Sequence, residues 1–88
     1  MYLAKIYVTL KPTVNDPQGR TIERGLKGLG FESVKGVRAG KYLEIATYEN
    51  NKVTAEKQIN DMCNKLLANP IIEEYHFELV QTQESNSA

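Results

Sequence analysis

The sequence predicts an α+β fold, a two-layer β-α-β-α-β domain whose small, mainly antiparallel sheet is covered on one face by two helices. Three observations carry that reading. Apolar and polar residues alternate in three stretches, Tyr2 to Leu10, Val34 to Tyr48 and Ile71 to Val80, as half-buried strands require. Between them lie two stretches with apolar residues at three- and four-residue spacing, each introduced by a capping residue. The chain has 88 residues, enough for one core.

The first strand sets Tyr2, Ala4, Ile6, Val8 and Leu10 on one face and Leu3, Lys5, Tyr7 and Thr9 on the other. Leu3 and Tyr7 keep the second face from being fully polar; either a partner covers them or they are single exposed side chains of the usual kind. KPTVNDP, from Lys11 to Pro17, is a turn into the first helix. Asn15 or Asp16 caps its free N–H groups, and Pro17 suits the first helical position, where its missing N–H costs nothing. The helix runs to about Leu29, with Ile22, Leu26 and Leu29 as its buried stripe. Gly19, Gly25 and Gly28 inside it each cost roughly 1 kcal/mol against alanine. Three such residues point to close backbone approach, to the sheet or to a partner. Gly30 fits the left-handed position after the helix, and Phe31 is expected to pack back on the core.

Val37, Ala39, Leu43 and Ile45 all fall on odd positions, and the phase holds across Gly40. This predicts one long middle strand, bent at the glycine. A two-residue turn at Ala39-Gly40 would leave Leu43 and Ile45 on the wrong face, and Ala-Gly fits tight hairpin turns poorly. That hairpin is the alternative, giving a β-α-β-β-α-β, ferredoxin-like order. The fifteen residues from Val34 to Tyr48 would span roughly 50 Å at about 3.3 Å each. A domain this small cannot pair such a strand along its length, so the excess predicts oligomerisation, with part of the strand pairing with, or packing on, another chain.

Asn51 or Thr54 caps the second helix, whose face carries Ala55, Ile59, Met62, Cys63, Leu66 and Leu67. Pro70 ends it at Ala68-Asn69. In the last strand Ile71, Tyr75, Phe77 and Leu79 point inward, and Glu74, His76 and Glu78 outward. Residues 1–80 thus form one domain, and the polar residues 81–88 are expected to be a disordered tail.

Eleven basic and eleven acidic side chains cancel. That balance argues against nucleic acid and anionic membranes as partners. There is neither a signal-peptide pattern nor an apolar run long enough to span a bilayer. A single cysteine excludes an internal disulfide framework, and the natural compartment is the cytoplasm.

No catalytic set emerges. A nucleophilic pair needs Cys63 and His76 within hydrogen-bond reach, but Cys63 lies on an apolar helix stripe and His76 on an outward strand face between two glutamates. Ligands for a metal are too few and wrongly spaced. Asp16, Pro17, Gln18 and Gly19 open a helix, and helix N-termini bind anions; without a phosphate-binding glycine motif, a capped helix start is the simpler reading. Arg38, Gly40 and Lys41 sit mid-strand, and Lys41 interrupts an apolar face. The lysine either meets a partner at a subunit boundary or, with Arg38, guards a bent strand against edge pairing.

Taken together, DPQG at Asp16 to Gly19, Leu29-Gly30, VRAGKYLEI at Val37 to Ile45 and CNKLLANPIIEEY at Cys63 to Tyr75 resemble the PurS family in order and spacing, over about residues 2 to 80. These are the small subunits of phosphoribosylformylglycinamidine synthase. The family's lead-in to DPQG usually ends in Leu-Asp, where this chain has Val14-Asn15-Asp16.

The resemblance implies a non-catalytic assembly subunit in de novo purine biosynthesis. It would act as a homo-oligomer, a dimer with a tetramer as the alternative, joining a PurL-type synthetase subunit to a PurQ-type glutaminase subunit and supporting ammonia transfer between them. ATP and magnesium would belong to the synthetase subunit, and this chain would hold no cofactor. Released ammonia is protonated in water and lost as a nucleophile, so holding the two active sites together favours transfer. The expected contact regions are Asp16, Pro17, Gln18 and Gly19 together with Arg38, Gly40 and Lys41. The competing class is a small dimeric regulatory module that binds an effector at its interface, a reading that rests on fold analogy.

Overall fold

The computed structural model of the chain describes residues 1–82. Strands β1 (Tyr2–Leu10), β2 (Gly40–Thr47) and β3 (Glu73–Gln81) form one antiparallel sheet in the order β2-β1-β3. Helices α1 (Pro17–Gly28) and α2 (Lys52–Met62) fill the two connections, and α2 closes in a π-helical turn, Cys63–Leu67. The order is the predicted β-α-β-α-β, with no hairpin at Ala39-Gly40.

The strand with the cleanest alternation became the centre of the sheet. Ile6 stands opposite Leu43 on one side and Phe77 on the other, and Ala4 opposite Ile45 and Leu79. Onto this row α2 and its closing turn lay Ile59 and Cys63, and Ala55 on the same helix is also fully buried. Asn51 caps α2, its side-chain oxygen accepting the Thr54 N–H at 3.0 Å. In the closing turn the Ala68 N–H reaches back five residues to the Cys63 carbonyl at 2.9 Å. Ala68, where the turn ends, is already extended.

Four expectations need correction. Leu66 is 83% exposed because the π-helical turn, wider by a residue than an α-turn, carries it off the core face. The last strand starts at Glu73, since the Asn69 carbonyl takes the Ile72 and Glu73 N–H groups in a turn that leaves Ile71 exposed. It also runs through Gln81, one residue past the expected end of the strand; the rest of the expected tail, from residue 83, lies outside the described residues.

The third correction concerns the long strand. β2 begins only at Gly40, where the ladder with β1 ends at the Thr9–Gly40 pair. Residues 34–39 have no strand to pair with inside the chain, although Val37 and Ala39 are half-buried and keep the phase of Leu43 and Ile45.

The fourth concerns α1. Its first turn is buried at Gly19, but Ile22 is 43% exposed and Leu29 is 75% exposed. Phe31 gives its N–H to the Leu26 carbonyl and stays 56% exposed instead of returning to the core. Gly30 does take the left-handed conformation, at φ 100°. Within the single chain α2 covers the sheet, and α1 stands away from it with Ile22 and Leu29 exposed and Leu26 half-buried.

Candidate partner-contact site

Asp16 is the buried acidic residue that joins the two predicted contact segments. One of its oxygens accepts the Gly19 N–H at 2.9 Å, closing the first turn of α1. The other accepts the Ala39 N–H at 2.8 Å, across the chain. These two backbone donors, Ala39 first and Gly19 second, hold the carboxyl below its ordinary value; the nearby Arg38 charge adds to them and partial desolvation opposes them. The carboxylate is therefore charged wherever the protein is folded at neutral pH.

The latch leaves no room at Gly19. A Cβ there would strike the Val37 carbonyl and come within 2.6 Å of the Asp16 carboxylate. Gly40 is equally tight, its missing Cβ facing the Val8 carbonyl at 2.5 Å and Thr9 Cγ2 at 2.9 Å. By contrast Gly25 and Gly28 have nothing within 4 Å, so within the chain only one of the three helix glycines answers to close approach.

Arg38 secures the other side. Its Nη2 donates to the Leu10 carbonyl at 2.6 Å and the Lys11 carbonyl at 3.0 Å, satisfying backbone acceptors where β1 runs out. Lys11 returns its own N–H to the Ile72 carbonyl. What these groups hold in place is a shallow groove of about 270 Å3 with Gln18, Lys41 and Glu73 on its walls. Pro17, Gln18 and Lys41 are exposed. DPQG and VRAGK are thus two halves of one cluster: Asp16, Gly19, Arg38 and Gly40 build it, and Pro17, Gln18 and Lys41 face outward.

The arrangement offers surface and no chemistry. Cys63 is buried in the core, where desolvation pushes its thiol up, while His76 is exposed on the opposite face of the sheet. The two cannot form a nucleophilic pair. Among the described residues, no group of three or more His, Cys, Asp or Glu is placed to hold a metal ion, and no helix is long and apolar enough to cross a membrane.

Two features escaped the sequence reading. One is the long-range half of the Asp16 latch, which no local spacing encodes. The other is a row of rings on the open sheet face. Tyr7 stacks on His76 at 4.7 Å and meets Tyr42 at 5.0 Å. The outward positions of Tyr7 and His76 were readable; their side-by-side register was not.

A profile of the PurS family, described as phosphoribosylformylglycinamidine (FGAM) synthase, matches residues 3–81. A Synechocystis protein named phosphoribosylformylglycinamidine synthase subunit PurS is 46% identical over 78 residues, 89% of this chain and 78% of that protein. The crystal structure of Methanocaldococcus jannaschii PurS, described as one of the subunits of formylglycinamide ribonucleotide amidotransferase in the purine biosynthetic pathway, superposes with a TM-score of 0.84 at 40% identity, covering 94% of this chain and all (100%) of that one. A chain in the structure of PurLQS from Thermotoga maritima superposes with a TM-score of 0.80 at 32% identity, covering 91% of this chain and 99% of that one.

Proposed function

The chain belongs to the PurS family of phosphoribosylformylglycinamidine synthase subunits, and from that premise we propose that it works as the bridge of the enzyme. It is a non-catalytic subunit of a ligase in purine biosynthesis. As a bridge it joins the PurL-type synthetase subunit to the PurQ-type glutaminase subunit in the cytoplasm and keeps the ammonia path between them short. ATP and magnesium belong to the synthetase partner. The observation that carries this reading is the close superposition on a chain from the PurLQS structure.

The bridge is a homodimer. Two features of the single chain support this: residues 34–39 lack a strand partner, and α1 exposes Ile22, Leu29 and Phe31. A second copy would extend the ladder along 34–39 and cover the α1 stripe in one step. The cluster of Asp16, Gly19, Arg38 and Gly40 positions the contact region, and Pro17, Gln18 and Lys41 make the contacts.

Reconstitution tests the reading. With synthetase and glutaminase subunits supplied, glutamine-driven turnover should require this chain, while turnover on added ammonia should proceed without it. Full glutamine-driven turnover in its absence would sink the proposal.

A further inference from the structure

The face of the sheet turned away from α2 is ordered in rows. Leu3 lies between Ala46 and Val80, Lys5 between Glu44 and Glu78, Tyr7 between Tyr42 and His76, and Thr9 between Gly40 and Glu74. An apolar row, a charged row and a row of rings follow one another along β1. Tyr7 is 37% exposed and Tyr42 47% exposed, so the rings are open to solvent. Among the described residues the ion pairs are Lys27 with Glu23 and Lys65 with Asp61; Lys5 therefore makes no direct ion pair with Glu44 or Glu78. Three carboxylates against one ammonium leave this face acidic.

We propose that this face docks an arginine side chain carried by one of the two larger subunits of the enzyme. The inference rests on the bridging role. A guanidinium is the group that uses both features at once: its plane stacks on an aromatic ring while its N–H fork donates to a carboxylate beside the ring. Here the ring row and the Glu44–Glu78 row are neighbours on the same pleated face, side by side on all three strands. The Tyr42 hydroxyl donates to Glu44 at 2.7 Å, which fixes one carboxylate against the rings and leaves its other oxygen free. A lysine ammonium would satisfy the carboxylates without using the planar stack. The homodimer proposed above puts the second copy elsewhere, at residues 34–39 and α1, and on that reading this face is left for another subunit.

The test compares the wild-type protein with two variants, Glu44→Gln/Glu78→Gln and Tyr7→Thr, in binding to each purified larger subunit across a salt series. The glutamines preserve shape and the threonine suits a strand, and melting curves and light-scattering mass report on fold and oligomer. Both variants should keep the wild-type mass and bind one larger subunit about tenfold or more weakly, and the glutamine variant should show a shallower salt dependence. Wild-type affinity in both would overturn the proposal while leaving the bridge intact. A changed mass with unchanged subunit binding would also overturn it, by assigning the face to a second copy. Wild-type protein that binds neither subunit would remove the bridging role, and this inference with it.

Discussion

Asp16 shows how much one side chain can organise when its two oxygens answer to different parts of the chain. Its cap was legible, since Asp before Pro at the start of an amphipathic stretch has a local meaning. Its bond to Ala39 was not, because it joins residues far apart in sequence. With its folded value below the ordinary 3.8, Asp16 contributes stability that is complete above that value and lost as the pH falls through the lowered one. Asp16→Asn should therefore lower the melting temperature at neutral pH, on the order of 5 °C, and flatten the acid limb of the stability curve below about pH 4. Thermal melts across a pH series would show both effects. At Gly19 a methyl group has only backbone and the latch to displace, so Gly19→Ala should cost about 2 kcal/mol or more in urea unfolding. On the open face, the hydrogen bond to Glu44, with desolvation and the Glu44 charge behind it, pushes the Tyr42 hydroxyl up to about 12. Glu44→Gln should bring it back towards 10, followed by NMR of ring-labelled tyrosine.

The elements divide by how far their partners lie. α2 and β1 were read almost to the residue because each has its counterpart in the same chain, and a period of 3.6 or 2 reports burial directly. α1 was read correctly as a helix and wrongly as a buried one: its Ile22, Leu26 and Leu29 pattern specifies an apolar face but not which molecule covers it. The same holds for residues 34–39, whose alternation is that of a strand while their ladder partner is missing. The π-helical turn had no sequence signature, so Leu66 was assigned inward by extrapolating the α-helical period. Gly25 is the useful probe here, since nothing in the chain approaches it. Gly25→Ala should stabilise the isolated helix by roughly 0.5–1 kcal/mol. If a second copy packs on α1, the same variant should weaken the dimer, giving opposite signs in concentration-matched melts and in dissociation measured by light scattering.

At the scale of the whole molecule the chain is drawn out. Its radius of gyration is 16.9 Å, against about 12 Å for a compact domain of this length. Charge is segregated as well: from Lys11 to Lys41 there are seven basic and three acidic residues, and the remainder has four basic and eight acidic. The zero net charge spoke against nucleic acid but concealed this polarity, which needs a map of positions and not a total. A subunit of this form should owe part of its stability to association, so its melting temperature should rise with protein concentration between dilute and concentrated samples. A melting temperature independent of concentration would mean that the lone chain is already its final form.

The position of β1 has a consequence for how the molecule comes into being. The central strand precedes both of its partners in the chain, with Tyr2 opposite Thr47 on one side and Gln81 on the other. Its ladder with β2 cannot be completed before residue 47 has emerged, nor that with β3 before residue 81, so β1 leaves the ribosome unpaired, with both edges open and an apolar face exposed. Sheet formation must wait for distant contacts and is slow for that reason. For the interval of its own synthesis, the strand that ends as the best-protected element is the one most exposed to association with other chains.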